Sequence, residues 1–224
     1  MNHMMVHPIE WHLLAPLYEQ RHRVYHDIQH IHSMLRRIDE IEGLSPDEAS
    51  WLEAVAWLHD AYFDPLSKMN VNEERSAALL NGPLGGAFTP AGLQLARRTI
   101  LATANHLEDQ ENVPFLMGLF LDLDIANISD DFVDFSEQSI RISEEFLEAG
   151  VSPVLVEEGQ AQFAEKMLAR KKIFYSPPFR GREGSARKNL GVLLTHPAAF
   201  LSYDNYDLYQ QGVLGNTARA TVSP

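Results

Sequence analysis

The residues best suited to chemistry are an adjacent histidine and aspartate, His59 and Asp60, at the end of an apolar run. Both side chains cost free energy to bury unless they are paired or bound to something. A divalent metal ion would satisfy both, because neutral imidazole and carboxylate are common metal ligands. The alternative, a packed histidine beside a salt-bridged aspartate, is disfavoured by the apolar flank.

Three other segments supply the further ligands that such a site needs. His26 and His30 are four residues apart and would face the same way on a helix, although a surface pair with no ligand role is the alternative. Asp122 and Asp124 are two apart, so at most one should bind an ion directly. The other is expected to cap a helix or to hold a ligand imidazole. His106 is either functional or a solvated histidine at a helix end.

Helix signals place the histidine–aspartate pair at the end of a helix. Residues 27–41 carry apolar side chains every three or four positions, and Ser45-Pro46 is a typical start for a second helix. Neighbouring residues on a regular helix diverge by about 100°. His59 and Asp60 can therefore converge only near a helix end, which the Asp64-Pro65 break supplies.

The remaining pattern is also helical, and no segment shows a sustained period of two. Further helices are predicted over residues 72–80, 90–106, 114–124, 136–147, 153–174 and 185–194. We therefore expect an all-α fold of about seven to nine helices, forming a single domain over residues 1–224. Its core should span about residues 11–196, and residues 197–224 should form a partly mobile or extended arm.

The composition limits the classes of function. The chain has 224 residues, 45% of them apolar, and its net charge of −13 argues against nucleic acid or an anionic membrane as partner. A small phosphorylated molecule is still compatible, because a bound cation can reverse the local field. The absence of cysteine excludes disulfides, thiolate zinc sites and cysteine nucleophiles. With neither a signal peptide nor an apolar run long enough to span a membrane, we expect a cytoplasmic protein; a homodimer is left open.

Short motifs follow one another in a fixed order over about residues 18–194. They are Arg-x-Tyr-His-x-x-x-His (23–30), His-Asp with a following aromatic (59–62), Asn-Glu-x-x-Ser-Ala (72–77), Ile-x-x-Thr-x-x-His (100–106), Asp-x-Asp (122–124) and Ala-Arg-x-Asn-Leu (186–190). This order resembles the HD-domain superfamily of metal-dependent phosphohydrolases, and more closely a bacterial branch of predicted metal-dependent HD phosphohydrolases. One departure is Ser143, which stands where that branch usually has an acid, with Glu144 next to it.

The resemblance implies one divalent ion (Mn, Mg, Co, Ni, Fe or Zn) held by four protein ligands. These ligands are His30, His59, Asp60 and Asp124, with His26 as the alternative to His30 and Asp122 in a secondary role. The implied function is a metal-dependent phosphohydrolase that attacks a small phosphorylated molecule, a nucleotide in many members, with a metal-activated water. The alternatives are a non-catalytic protein on the same fold that binds metal or nucleotide, and a helical interaction protein with a structural metal.

The same reading gives roles to residues around the ion. Glu73 is expected to orient the water or accept its proton, unless it is simply an exposed helix acid. His106 would contact phosphate or donate a proton. Arginines bind two phosphate oxygens at once, although each could instead be a surface or salt-bridging residue. The substrate contacts predicted are Arg23, Arg75, Arg141, Tyr25 and Asn72, with Arg23 also counted among the catalytic residues.

Overall fold

The computed structural model describes residues 3–6, 10–104, 106 and 112–213. Across these residues the chain forms nine α-helices and no strand, apart from one isolated bridge between Met5 and Phe88, so the predicted all-α fold is confirmed. No helix in this part of the chain is long and apolar enough to span a bilayer. The helices are α1 (Ile28–Asp39), α2 (Pro46–His59), α3 (Val71–Ala78), α4 (Pro90–Thr103), α5 (Phe115–Asp124), α6 (Phe132–Glu148), α7 (Pro153–Ala169), α8 (Glu183–Thr195) and α9 (Tyr203–Gln210).

Capping residues set the starts of the helices that carry the candidate ligands. Asp27 caps α1, and its carboxylate accepts a hydrogen bond from the Gln29 N–H (2.8 Å). Ser45 and Glu48 form a reciprocal capping box at the start of α2. These short polar side chains satisfy backbone N–H groups that have no partner within the helix. They therefore fix where α1 and α2 begin.

Several helix ends differ from the predicted ones. Helix α4 ends at Thr103 rather than at the predicted residue 106, which leaves His106 beyond the helix. Residues 11–17 add a 3-10 helix before α1. The end of α7 at Ala169 has a physical cause, since the backbone of the following residues is bound by side chains. Glu183 accepts a hydrogen bond from the Ile173 N–H (3.0 Å), and Arg187 donates to the Arg170 carbonyl (2.8 Å).

The first of two compact units comprises Met1–Ile125 and Phe174–Phe179. Its central element is α2, which packs against α1, α3, α4 and α5. Every residue of α2 from Trp51 to His59 except Glu53 is buried, so this helix is apolar around its whole circumference. The Trp51 indole N–H donates to the Gly92 carbonyl (3.0 Å) and ties α2 to α4. The unit thus buries a helix whose last residue is His59.

The second unit comprises Ala126–Ile173 and Arg180–Pro224. In it α7 packs on α8, and rings of Phe132, Phe200 and Tyr206 lie within 6.4 Å of one another. The prediction of a mobile or extended arm is therefore wrong for residues 203–210, which form α9. This helix is capped by Ser202 and anchored by these rings. Residues 214–224 of the arm lie outside the described part of the chain. The single-domain boundary over residues 1–224 stays a prediction.

Candidate metal centre

Helix ends of the first unit bring four side chains to one place. His30 lies in the first turn of α1, His59 is the last residue of α2, and Asp124 is the last residue of α5. Asp60 follows α2 directly and has left the helical conformation (φ −110°, ψ 20°). This turn out of the helix lets the adjacent His59 and Asp60 side chains converge, with His59 Nε2 3.0 Å from Asp60 Oδ2.

The ligand-type atoms of these side chains are mutually close. His30, His59 and Asp60 each offer one atom within 4.8 Å of the others, and this group could hold a metal ion. Asp124 Oδ1 lies 3.1 Å from His30 Nε2 and 3.2 Å from His59 Nε2. The two histidine Nε2 atoms are 3.4 Å apart. All four side chains are largely buried, with exposed fractions of 14% or less. We call these four residues the cluster.

A backbone contact of His59 determines which of its nitrogens faces the cluster unprotonated. Its Nδ1 lies 2.8 Å from the Ala56 carbonyl oxygen, which can only accept a hydrogen bond. Nδ1 therefore carries the hydrogen, and in the neutral imidazole Nε2 presents a lone pair to Asp60 and Asp124. Lone pairs and carboxylate oxygens at 3.0–3.2 Å repel one another unless a cation lies among them.

The titration behaviour of the cluster shows the same need for positive charge. Burial lowers the pKa of His59, but the carboxylates of Asp60 and Asp124 outweigh it and raise that pKa well above its usual value. Burial raises the pKa of both aspartates, but the facing imidazoles lower it by a larger amount. The net pKa of each carboxyl lies below its usual value, so both stay ionised. A proton on His59 supplies the bridging positive charge, and a metal ion could take its place.

The spacing of the four ligand atoms is suited to a single ion. Metal bonds of about 2.1 Å place two ligands about 3.0 Å apart at a right angle and about 4.2 Å apart across the ion. The distances from His30 Nε2 to Asp60 Oδ2 (4.0 Å) and Asp124 Oδ1 (3.1 Å) fall within this range. Two imidazoles and two carboxylates suit Mn, Mg, Co, Ni, Fe or Zn, so the donor set fits a divalent ion without identifying it.

Two further predicted residues lie around the cluster. His106 Nε2 is 2.7 Å from Asp124 Oδ2, the carboxylate oxygen that does not face His30. This contact favours a role in orienting Asp124. Glu73 is half-buried in the first turn of α3, and burial together with the charge of Asp60 raises its pKa, whereas His106 and His26 lower it. Glu73 therefore lies within electrostatic reach of the cluster, as the predicted proton acceptor must.

The first histidine of the motif, His26, has different neighbours from His30. Its ring stacks on Phe63 with 4.0 Å between centroids. His30, rather than His26, joins the group that could hold a metal ion. Tyr25 is buried and packs its ring against both histidines, at 4.9 and 5.2 Å. Its buried position favours a packing role over the predicted substrate contact.

Three further predicted substrate contacts, Asn72, Arg75 and Arg141, lie in three different environments. Both ends of the Asn72 amide bind the backbone of Asp64, accepting from its N–H and donating to its carbonyl (3.1 Å each). Asn72 therefore closes a loop, which disfavours the predicted substrate contact. Arg75 is exposed and stacks on Tyr62 at 4.3 Å, so its guanidinium is accessible. Arg141 lies on α6 in the second unit, outside the unit that carries the cluster.

Asp122 binds a neighbouring chain segment, and these contacts disfavour its predicted secondary metal role. Its fully buried carboxylate accepts hydrogen bonds from the Tyr175 N–H (2.9 Å), the Ser176 N–H (2.6 Å) and the Ser176 hydroxyl (2.5 Å). These bonds hold the segment Phe174–Phe179 against α5. The spacing argument that only one of the two aspartates can face an ion agrees with this arrangement.

Sequence reasoning missed several residues that support the cluster. Ser76 accepts from the Tyr62 N–H (3.0 Å) and donates to its carbonyl (3.2 Å), and so pins the chain just after Asp60. The rings of Phe120 and His59 pack edge to face, with 5.4 Å between their centroids. The signal for Ser76 was present, since it falls in the Asn-Glu-x-x-Ser-Ala motif. Phe120 had none, being one apolar residue among many on α5.

Comparison of the chain with protein-family models, with curated proteins and with solved structures gives no match. The functional argument therefore rests on the geometry of the cluster and on the order of the sequence motifs. Both point to His30, His59, Asp60 and Asp124.

Proposed function

We propose that the protein is a metal-dependent phosphohydrolase acting on a small phosphorylated molecule, such as a nucleotide. The observation that carries this proposal is the convergence of His30, His59, Asp60 and Asp124, with a lone pair of His59 facing two carboxylates. The resemblance of the motif order to HD-type phosphohydrolases supports the same reaction. A single divalent ion would be held by these four residues.

The bound ion would supply Lewis-acid stabilisation of a phosphoryl oxygen and lower the pKa of a water. The chain's own residues would do the rest. Glu73 would accept the proton of the attacking water, and its raised pKa brings its basicity closer to neutral conditions. His106 would hold Asp124 Oδ2 so that Oδ1 keeps facing the two histidines. The exposed Arg75 is positioned to attract an anionic substrate.

The decisive experiment combines metal analysis with a substrate screen. The protein is loaded with Mn²⁺, Co²⁺ or Mg²⁺ and offered a panel of nucleotides and other phosphorylated small molecules, with phosphate release as the readout. Asp124→Asn should lose bound metal and metal-dependent phosphate release. Asp134→Asn is the matched control, because Asp134 is an exposed acid on α6 and the chemical change is the same.

The outcomes separate the candidate functions. Phosphate release that needs the metal and Asp124 supports the proposal. Stoichiometric metal without turnover on any substrate class would favour the non-catalytic binding protein instead. A wild-type protein that binds none of these three ions, and none of Ni²⁺, Fe²⁺ and Zn²⁺ offered in the same way, would refute the metal site itself, and with it the phosphohydrolase.

A further inference from the structure

The guanidinium of Arg23 is buried within the first unit, where it meets backbone oxygens. Its residue is 5% exposed, and its Nη1 donates to the carbonyls of His26 (3.0 Å) and Asp60 (2.7 Å). Its Nη2 donates to the Ala61 carbonyl (3.1 Å), and its Nε donates to the Gln20 side chain (3.2 Å). Hydrogen bonds from a charged donor to buried carbonyls are strong, and breaking them leaves those oxygens unsatisfied.

These contacts join two chain segments that are far apart in sequence. One is the segment leading into α1, which carries His30; the other is the turn after α2, which contains Asp60. One nitrogen, Nη1, bonds to both segments and so fixes their separation. A planar guanidinium can make these bonds at once because its donors diverge at fixed angles, whereas a lysine ammonium lacks that geometry.

Aromatic rings fix the orientation of the guanidinium. The Arg23 Cζ lies 5.0 Å from the centre of the Tyr18 ring and 5.6 Å from that of Phe63. Phe63 in turn stacks on the ring of His26, with 4.0 Å between the ring centroids. Cation–π contacts of this kind stabilise a desolvated guanidinium. The charge is thus held in place by its surroundings, in a residue that is almost fully buried.

We propose that Arg23 is a positioning residue that sets the distance between His30 and the His59–Asp60 pair by clamping the backbone on both sides. This replaces the phosphate contact expected from the sequence, since the guanidinium is bound to carbonyls and buried. Arg23 acts through Asp60 and the start of α1, and it does not touch the reacting atoms. The effect on metal affinity rests on the proposed metal site, whereas the clamp itself does not.

The test compares Arg23→Lys with Arg187→Lys. Arg187 in the second unit also clamps carbonyls, those of Leu168 (3.1 Å) and Arg170 (2.8 Å), so it controls for general loss of stability. Arg23→Lys should weaken Co²⁺ and Mn²⁺ binding about 10- to 100-fold, the usual effect of residues that support metal ligands. It should also change the visible absorption spectrum of bound Co²⁺, which reports ligand geometry. Arg187→Lys should leave both unchanged.

A second variant covers the case in which Arg23→Lys does not fold. Gln20→Ala removes one hydrogen bond to the guanidinium from an exposed position, and should weaken metal binding by about two- to fivefold. Metal affinity and Co²⁺ spectrum unchanged in a folded Arg23→Lys would overturn the proposal. So would a variant with a raised KM for substrate and normal metal binding, which is the signature of a phosphate contact.

A metal-independent readout separates this proposal from the proposed function. If wild-type protein binds no metal, the phosphohydrolase fails, and the clamp is judged on the ring ¹⁵N NMR signals of His30 and His59. Arg23→Lys should shift both signals while leaving that of His196, in the second unit, in place. Unmoved signals of His30 and His59 would refute the clamp.

Discussion

The two aspartates near the end of α5 should respond oppositely to the same substitution. Asp122 and Asp124 are two residues apart, yet one carboxylate holds the segment Phe174–Phe179 and the other faces two histidines. We expect Asp122→Asn to lower stability with little direct effect on the metal ligands. Asp124→Asn should abolish tight metal binding and leave the metal-free fold largely intact.

The size of the Asp122 effect follows from the three hydrogen bonds that its carboxylate accepts from Tyr175 and Ser176. Asparagine keeps one acceptor oxygen, and its amide nitrogen would then face an N–H or hydroxyl that also donates. If the oxygen stays with Ser176, the Tyr175 N–H loses its acceptor and the other bonds lose their charge. Losing a charged hydrogen bond and leaving a buried donor unsatisfied costs about 2–4 kcal/mol in total. For a chain of this size that is a fall in Tm of about 4–16 °C.

Thermal unfolding in excess chelator, followed by circular dichroism, measures the stability of both variants without metal. Equilibrium dialysis against Co²⁺ or Mn²⁺, with metal analysis, measures binding at a temperature where both remain folded. The reasoning is refuted if Asp122→Asn loses metal with an unchanged Tm. It is equally refuted if Asp124→Asn binds metal as tightly as the wild type.

Three other substitutions or conditions test the remaining structural claims. Glu73→Gln should reduce turnover about 10²- to 10⁴-fold with metal retained, as measured by phosphate release and metal analysis, and an unchanged rate would make Glu73 an ordinary helix acid. In chelator, Tm should fall as pH rises above 6.5, because the pKa of His59 is higher in the folded protein than its unfolded value of 6.5. The stabilisation from the charged imidazole is lost as pH rises through the folded-state pKa. Mn²⁺ should remove this trend, and a Tm that does not change with pH in chelator would contradict it. Asn72→Ala should lower the unfolding free energy by about 1–2 kcal/mol in denaturant titration, because the Asp64 N–H loses its acceptor and the Asp64 carbonyl keeps only the Ser67 N–H; no loss would show that the loop closes without Asn72.

The helices and their starts could be predicted because their signals are local. Asp27 and Ser45 act on N–H groups two or three residues away, so the sequence contains both partners of each cap. The convergence of His59 and Asp60 at a helix end followed equally from the Asp64-Pro65 break nearby. Local chemistry of this kind needs no knowledge of which distant segments meet.

The contacts of Arg23 and Asp122 could not be predicted, because their partners lie far away in the sequence. Arg23 meets the carbonyl of Asp60, 37 residues along the chain, and Asp122 meets Ser176, 54 residues along. Backbone carbonyls and N–H groups occur at nearly every position, so the sequence does not mark which of them a charged side chain will bind. The ordinary expectation for an arginine beside a metal motif is a phosphate contact, whereas the burial of Arg23 favours the positioning role proposed above.

Under the proposed function, the cluster would couple metal binding to the fold of the first unit through charge. Two buried carboxylates and the lone pair of His59 face one another at the end of the apolar helix α2, and some positive charge must balance them. A proton does so when the raised pKa of His59 keeps the imidazole charged, and a divalent ion must displace that proton to bind. Metal affinity should therefore weaken on acidification, while metal that binds the folded state should add stability that grows with the logarithm of the free metal concentration once that concentration exceeds Kd. Because the cluster requires a positive charge, the stability of the first unit should depend on whether a proton or a metal ion supplies it.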